Sequence, residues 1–130
     1  CLTGFWVSNA TPQAVLDAIR NRKTFGCAAG KIAVWTTCQG RPMGEGLDVS
    51  GPVRIAAQLS SALPILRACL VRDGEPLEWV DVGAKTAKVE LIDESPTPGA
   101  HWYVVTAEAE SVTRTPNALV HASPFFVKTI

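Results

Sequence analysis

From Ile32 onward the hydrophobic period of this chain is two, and that alternation restricts its fold more than any other feature. Ile32, Val34, Thr36 and Cys38 alternate with Ala33, Trp35 and Thr37, while Val53, Ile55, Ala57 and Leu59 alternate with Arg54, Ala56 and Gln58. Successive side chains of a strand point to opposite faces, so each run offers one apolar and one mixed face. Leu66, Ala68 and Leu70, then Ala87, Val89 and Leu91 against Lys88 and Glu90, then Trp102, Val104 and Thr106 predict further strands, and residues 125–130 predict the last. Between them lie turn-forming clusters at Gln39-Gly40-Arg41-Pro42, Asp73-Gly74-Glu75-Pro76 and Ser95-Pro96-Thr97-Pro98-Gly99. Asp73-Gly74 is the strongest hairpin signal among them. Residues 110–121 form the longest connection without a pattern, and Thr115-Pro116-Asn117 reads as a surface loop. Short strands with one apolar face each cannot close a core alone, so two antiparallel sheets packed face to face are the economical solution. The expected fold is mainly β: an immunoglobulin- or fibronectin-like antiparallel β-sandwich.

Before the strands stands one helical pattern, predicted over residues 11–22. Thr11 before Pro12 suits an N-cap and a first-turn proline. Ala14, Val15, Ala18 and Ile19, with Leu16 at the margin, form an apolar stripe, and Asp17, Arg20, Asn21 and Arg22 face water. Arg20, Arg22 and Lys23 favour the negative end of the helix dipole, and Gly26 is expected to supply the left-handed stop. A helical prelude on a chain of strands suggests two parts. Residues 1–29 are expected to be an N-terminal strand and helix left from a preceding domain, and residues 30–130 the β-sandwich domain.

At 130 residues, with 47% apolar and 18% charged residues, one ordinary core is expected. Twelve basic residues offset by twelve acidic ones leave no excess charge to attract phosphate backbones or anionic lipid. No run approaches the roughly 20 apolar residues that cross a bilayer. Neither nucleic acid nor membrane is an expected partner. Cys1, Cys27, Cys38 and Cys69 lack metal-ligand spacing and are expected as small buried thiols, with a disulfide left open.

Leu2-Thr3-Gly4-Phe5-Trp6, Thr11-Pro12-Gln13-Ala14-Val15-Leu16-Asp17-Ala18-Ile19-Arg20 and Arg22-Lys23-Thr24-Phe25, in that order, are similar to a stretch of PHP-like (polymerase and histidinol phosphatase) metal-dependent hydrolases. Gly40-Arg41-Pro42-Met43-Gly44, Trp102-Tyr103-Val104-Val105-Thr106 and Ser123-Pro124-Phe125-Phe126-Val127 resemble later segments of the large members of that family. The resemblance implies the end of a hydrolase domain leading into a C-terminal sandwich. The family's His-x-His and Asp-x-His metal ligands would precede Cys1, so no ligand carries over to this sequence. Cys27 and Ala28 replace small polar residues of the family pattern, and Trp35 stands where that pattern has a polar outward residue.

Chemistry-bearing residues form no coherent set. His101 and His121 are the only histidines, and a metal site normally needs three or four converging ligands. No serine sits in a Gly-x-Ser-x-Gly elbow. Asp93 and Glu94 are adjacent, so on a strand they point to opposite faces. Gly44-Glu45-Gly46 lacks the Gly-Lys-Thr ending of a phosphate loop and reads as a turn. No catalytic residue, metal ligand or cofactor is therefore assigned, and a small hydrolase in its own right has the least support.

The aromatics carry what functional signal there is. Trp102 falls on the inward phase and is expected in the core, whereas Trp35, Tyr103 and Val105 fall on the outward phase. Those three are interaction candidates, to be covered by the helix or a neighbouring domain, to meet a protein, or to stack on a sugar. Phe5 and Trp6 would be uncovered without a preceding domain, so the chain is expected to self-associate or to fold residues 2–7 back onto its own sandwich. The expected function is that of a non-catalytic accessory sandwich attached to an upstream PHP-like hydrolase domain. The alternative is a free-standing module that binds carbohydrate or protein.

Overall fold

A computed structural model describes residues 1–112 and 117–130. In chain order the elements are β1 (Leu2–Phe5), α1 (Pro12–Arg20), β2 (Thr24–Ala28), β3 (Ile32–Cys38), β4 (Arg41–Pro42), β5 (Gly46–Val49), β6 (Val53–Arg72), β7 (Glu75–Asp93), β8 (Gly99–Ala109), β9 (Ala118–Ala122) and β10 (Phe125–Thr129). The strands pair in the order β1-β2-β9-β8-β6-β3-β4, with β7 on the side of β6 and the β5–β10 pair on β8. Pairing is antiparallel except between β10 and β5. The result is the expected β-sandwich with one helix.

One strand serves both layers. The first half of β6 pairs with β3, from Ile55 opposite Cys38 to Ser61 opposite Ile32, and its second half pairs with β8. The hand-over falls at a register break between Ser60 and Ile65. Pro64 lies inside it, and a residue without an N–H fits where the ladder is interrupted. A bulge follows at once, with Ile65 opposite Ala109 and Arg67 opposite Glu108, so Leu66 is the extra residue. Ile65 and Ala68 therefore point inward, and Leu66 is only half-buried. Beyond the bend β3 lies against β9 without pairing to it. Val34, Ile55 and Leu59 meet Tyr103, Val105, Val120 and Phe125 in the common core.

The Asp73-Gly74 turn joins β6 to β7 with both residues at positive φ, 51° and 87°, as the hairpin signal predicts. The alternation of β3 and of the first half of β6 also matches, apolar side in. Thr36 is the polar exception: it is fully buried and its Oγ1 has no partner among the described residues.

On β8 the phase is reversed. Tyr103 and Val105, expected outward, are 0% and 1% exposed, while Trp102, expected in the core, is 41% exposed. Both phases of Trp-Tyr-Val-Val-Thr are apolar, so periodicity does not choose between them. A buried partner does: Tyr103 donates its hydroxyl to Asp93 Oδ2 at 2.7 Å, and Arg72 Nη1 donates to the same oxygen at 2.7 Å. Burial, and then the carboxylate, push the Tyr103 phenol well above its ordinary range.

The helix starts as expected, with Thr11 Oγ1 accepting from Ala14 N and Pro12 in the first turn. Its end differs. Arg22, not Gly26, takes the left-handed position at φ 56°, and Arg22 N and Lys23 N bond back to Ile19 O and Ala18 O. A non-glycine is held there because Arg22 Nε donates to Gly44 O at 2.8 Å and its guanidinium lies over the Phe126 ring. Gly44 itself has φ 93°, and a Cβ on it would meet Asn21 O at 2.5 Å. Gly26 lies in mid-strand, opposite Thr3 and His121. Of the apolar stripe only Ala18 is buried, and Leu16 and Ile19 face outward.

Residues 118–121, the end of the expected connection, belong to β9, and β2, β5 and the first half of β7 were not apparent from periodicity. Thr115 and Pro116 of the expected surface loop lie outside the described residues. Through β2 and β9, residues 1–29 share a hydrogen-bonded sheet with the later strands. All four cysteines are free thiols: Cys27, Cys38 and Cys69 are buried and Cys1 is exposed. Burial raises the Cys38 and Cys69 thiols above their usual range.

Candidate functional site

The outer face of β3, β6 and β7 is built in rows by strand register. Trp35 stands beside Gln58, which stands beside Lys88; Ala33, Ser60 and Thr86 form the row on one side, and Thr37, Ala56 and Glu90 the row on the other. Trp35 is half-buried and divides two surface hollows, one of about 430 Å³ reaching Ser60 and Thr86, the other of about 360 Å³ reaching Thr37 and Glu90. Both are floored by Gln58 and Lys88. Glu90 is paired with Arg54 at 3.1 Å. Among the described residues, Gln58, Ser60, Thr86 and Lys88 make no side-chain hydrogen bond or ion pair, so their polar groups are free to meet a ligand.

The N-terminal segment completes this face. Trp6 packs edge-on against Trp35, with ring centroids 5.5 Å apart and planes at 70°, and its Nε1–H donates to Val34 O at 2.8 Å. Phe25 holds Trp6 from behind at 5.7 Å. The Phe25 ring fits there because β1 carries Gly4 opposite it: a Cβ on Gly4 would fall 2.0 Å from Phe25 Cζ. Residues 2–7 thus fold back on the sandwich, one of the two outcomes expected for them. The partial cover on Trp35 comes from Trp6, not from the helix, which lines neither hollow. Of the expected interaction residues, Trp35 and Trp6 come together and Phe5 sits nearby on β1, 38% exposed, while Tyr103 and Val105 belong to the core.

A second exposed face was missed by sequence reasoning. Phe126 of β10 pairs with Trp102 of β8 and with Gly46 of β5, and a hollow of about 580 Å³ lies there between Leu47, Asp48, His101 and Lys128. The opposite phases of Phe125 and Phe126 were the available signal. A third hollow, about 770 Å³, separates α1 from residues 44–46. Two of its three cations are engaged within the chain, Arg22 on Gly44 O and Lys23 Nζ on Met43 O at 2.9 Å and on Glu45 at 3.4 Å, while Arg20 has no ion-pair partner among the described residues.

His101 clamps two turns. Its Nδ1 lies 2.6 Å from Asp73 Oδ2 and its Nε2 2.6 Å from Thr97 O. A carboxylate and a carbonyl only accept, so the site favours the imidazolium, which alone can donate from both ring nitrogens. The hydrogen bonds to Asp73 and then Thr97 raise its pKa above 6.5, and the Asp73 carboxyl is lowered in return despite partial desolvation. His121 is exposed on β9, far from His101 in the sheet. Among the described residues no three His, Cys, Asp or Glu side chains converge on a metal-sized space, and no helix is long and apolar enough to cross a membrane.

No protein-family model matches this chain, and no curated protein matches it by sequence. Solved structures do. A CARDB domain from Pyrococcus furiosus, in complex with di-metal ions, is similar over 78% of this chain and 89% of its own, at 9% identity and a TM-score of 0.50. At that identity the likeness is one of fold, a β-sandwich. A lytic polysaccharide monooxygenase from Jonesia denitrificans is similar over 65% of this chain with a TM-score of 0.48 and 11% identity, and the match spans only 58% of the monooxygenase chain. Fibronectin(III)-like modules of Clostridium thermocellum CbhA are similar over 73% of this chain and 97% of theirs, with a TM-score of 0.43 and 20% identity. The chain is a β-sandwich domain of the kind that recurs in many unrelated proteins.

Proposed function

We propose that this domain is a non-catalytic accessory sandwich that works through its surface, packed against the hydrolase domain of a PHP-like metallohydrolase and shaping access to it. The observation that carries this is the density of exposed apolar side chains at the start of the chain: of the twelve large apolar residues exposed among the described residues, six, Leu2, Phe5, Trp6, Val7, Leu16 and Ile19, at 37% to 52%, lie in the first nineteen. Covering the exposed part of each would contribute roughly 1 kcal/mol. The ordered likeness of this same segment to the end of a PHP-like domain supplies the partner, and residues 1–29 are then the piece that belongs to the join. Any hydrolytic chemistry would rest with metal ligands of the partner domain. A second copy of the chain is the competing occupant of the same surface.

The test is the gene and then the protein. A reading frame that continues upstream of Cys1 into His-x-His and Asp-x-His motifs is expected, and a start codon at or near Cys1 would overturn the proposal. In the full-length protein, Leu16→Glu with Ile19→Glu should loosen the two domains, read as faster proteolysis at the join with the sandwich intact.

A second reading is favoured by one specific observation, the unpaired polar groups around Trp35. On that reading the domain stands alone and binds carbohydrate or protein through its outer sheet.

A further inference from the structure

We propose that the outer face of β3, β6 and β7 is a binding groove for an acidic oligosaccharide, one that carries uronate groups. This rests on the second reading above and names its ligand. The two hollows that flank Trp35 share Gln58 and Lys88, so they lie end to end along the strands as two subsites on either side of the indole. From the Ala33 row to the Thr37 row they run about 13 Å at the usual strand rise, enough for a short glycan chain. Small residues, Ala33, Ala56 and Ala87, leave the floor low around Trp35 and its neighbour Trp6.

The chemistry of the groove selects the ligand. The face of an indole is electronegative and takes the polarised C–H groups of a pyranose ring, and Trp6 holds Trp35 in one orientation for that contact. Gln58, Ser60 and Thr86 offer an amide and two hydroxyls with no partner among the described residues, suited to sugar hydroxyls. Charge then separates acidic from neutral glycans. On this face Arg54 and Glu90 neutralise each other, while Lys88 in the central row and Lys31 at the start of β3 have no carboxylate partner among the described residues. The surplus is positive although the whole chain has no net charge. Lys88 in the Trp35 row is placed to take the carboxylate of a stacked uronate.

The experiment is titration of the chain with an oligogalacturonate, a neutral cello-oligosaccharide and poly-glutamate, read by calorimetry and by tryptophan fluorescence. Oligogalacturonate should bind at least ten times more tightly than the other two, with an affinity that falls as salt is added. Trp35→Ala should weaken it more than tenfold. Lys88→Gln should cost about fivefold for oligogalacturonate and leave the cello-oligosaccharide unchanged, and Trp102→Ala, on the other sheet face, should change neither. Thermal melts confirm that each variant is folded. Equal binding of the neutral glycan through Trp35 would overturn the acidic specificity and leave the carbohydrate-binding reading standing. Binding of neither glycan would overturn both, and equal binding of poly-glutamate, or indifference to Trp35→Ala, would show charge alone at work and sink the groove.

Discussion

Tyr103 and Trp102 are neighbours on β8, and truncating each in turn decides which face of that strand is the core. Tyr103 is 0% exposed, so Tyr103→Ala removes a fully buried aromatic ring and leaves a cavity, which costs about 3–5 kcal/mol. Trp102 is 41% exposed and rests its ring edge near Gly74, so Trp102→Ala should cost less than about 1.5 kcal/mol despite the larger side chain. Tyr103→Phe keeps the ring and isolates the hydroxyl. It breaks the 2.7 Å bond to Asp93, a carboxylate itself only 6% exposed, and a bond to a charged group is worth about 1.5–3 kcal/mol. The Arg72 contact to Asp93 survives that change, so the loss should stay near the lower end of the range. Urea unfolding followed by far-UV circular dichroism reads all three variants without depending on tryptophan as a reporter. A larger loss for Trp102→Ala than for Tyr103→Ala would refute the orientation of β8. A Tyr103→Phe variant as stable as the parent would refute the role of the Tyr103–Asp93–Arg72 cluster.

The His101 clamp gives a pH dependence of definite sign. A raised pKa means its stabilisation is complete below the unfolded value of 6.5 and is lost as pH rises through the folded value, whereas the lowered Asp73 pKa gives a contribution present above 3.8 and lost on acidification through the folded value. The urea midpoint should therefore fall as pH rises above 6.5, and His101→Gln should flatten that slope; identical slopes would contradict it. Thr36→Val replaces a buried hydroxyl that has no partner among the described residues with a methyl of the same shape, so the protein should gain up to about 1–2 kcal/mol, and a loss in thermal unfolding would show that the hydroxyl is bonded. Gly4→Val puts side-chain atoms where the Phe25 ring lies. Amide exchange should then accelerate across β1 with the melting temperature of the core little changed, and unchanged exchange at residues 2–5 would refute the packing of β1.

The alternation of residues 32–38 and 53–59 sets one phase that is apolar except for Thr36 against a phase that holds Arg54, Gln58 and Thr37, and only one orientation hides the apolar set from water. That contrast, with the Asp73-Gly74 turn, the Thr11 cap and the proline-rich breaks, is local information, and from it follow the β class, the sandwich, the long hairpin and the outward position of Trp35. The orientation of β8 does not follow, because Trp102 and Val104 are as apolar as Tyr103 and Val105; it was decided by Asp93 and Arg72, brought to Tyr103 from two other strands. The bulge at Leu66, the end of α1 at Arg22, and strand β9 likewise depend on partners distant in sequence. So do the candidate surfaces. Trp6 reaches Trp35 only because Gly4 lets Phe25 close over β1, and Phe126 stands beside Trp102 only through the register of β10 on β8. Side-chain period is a property of neighbours along the chain, but which two apolar faces meet, and which is left to a ligand, is settled by contacts that exist only once the sheet has folded over itself.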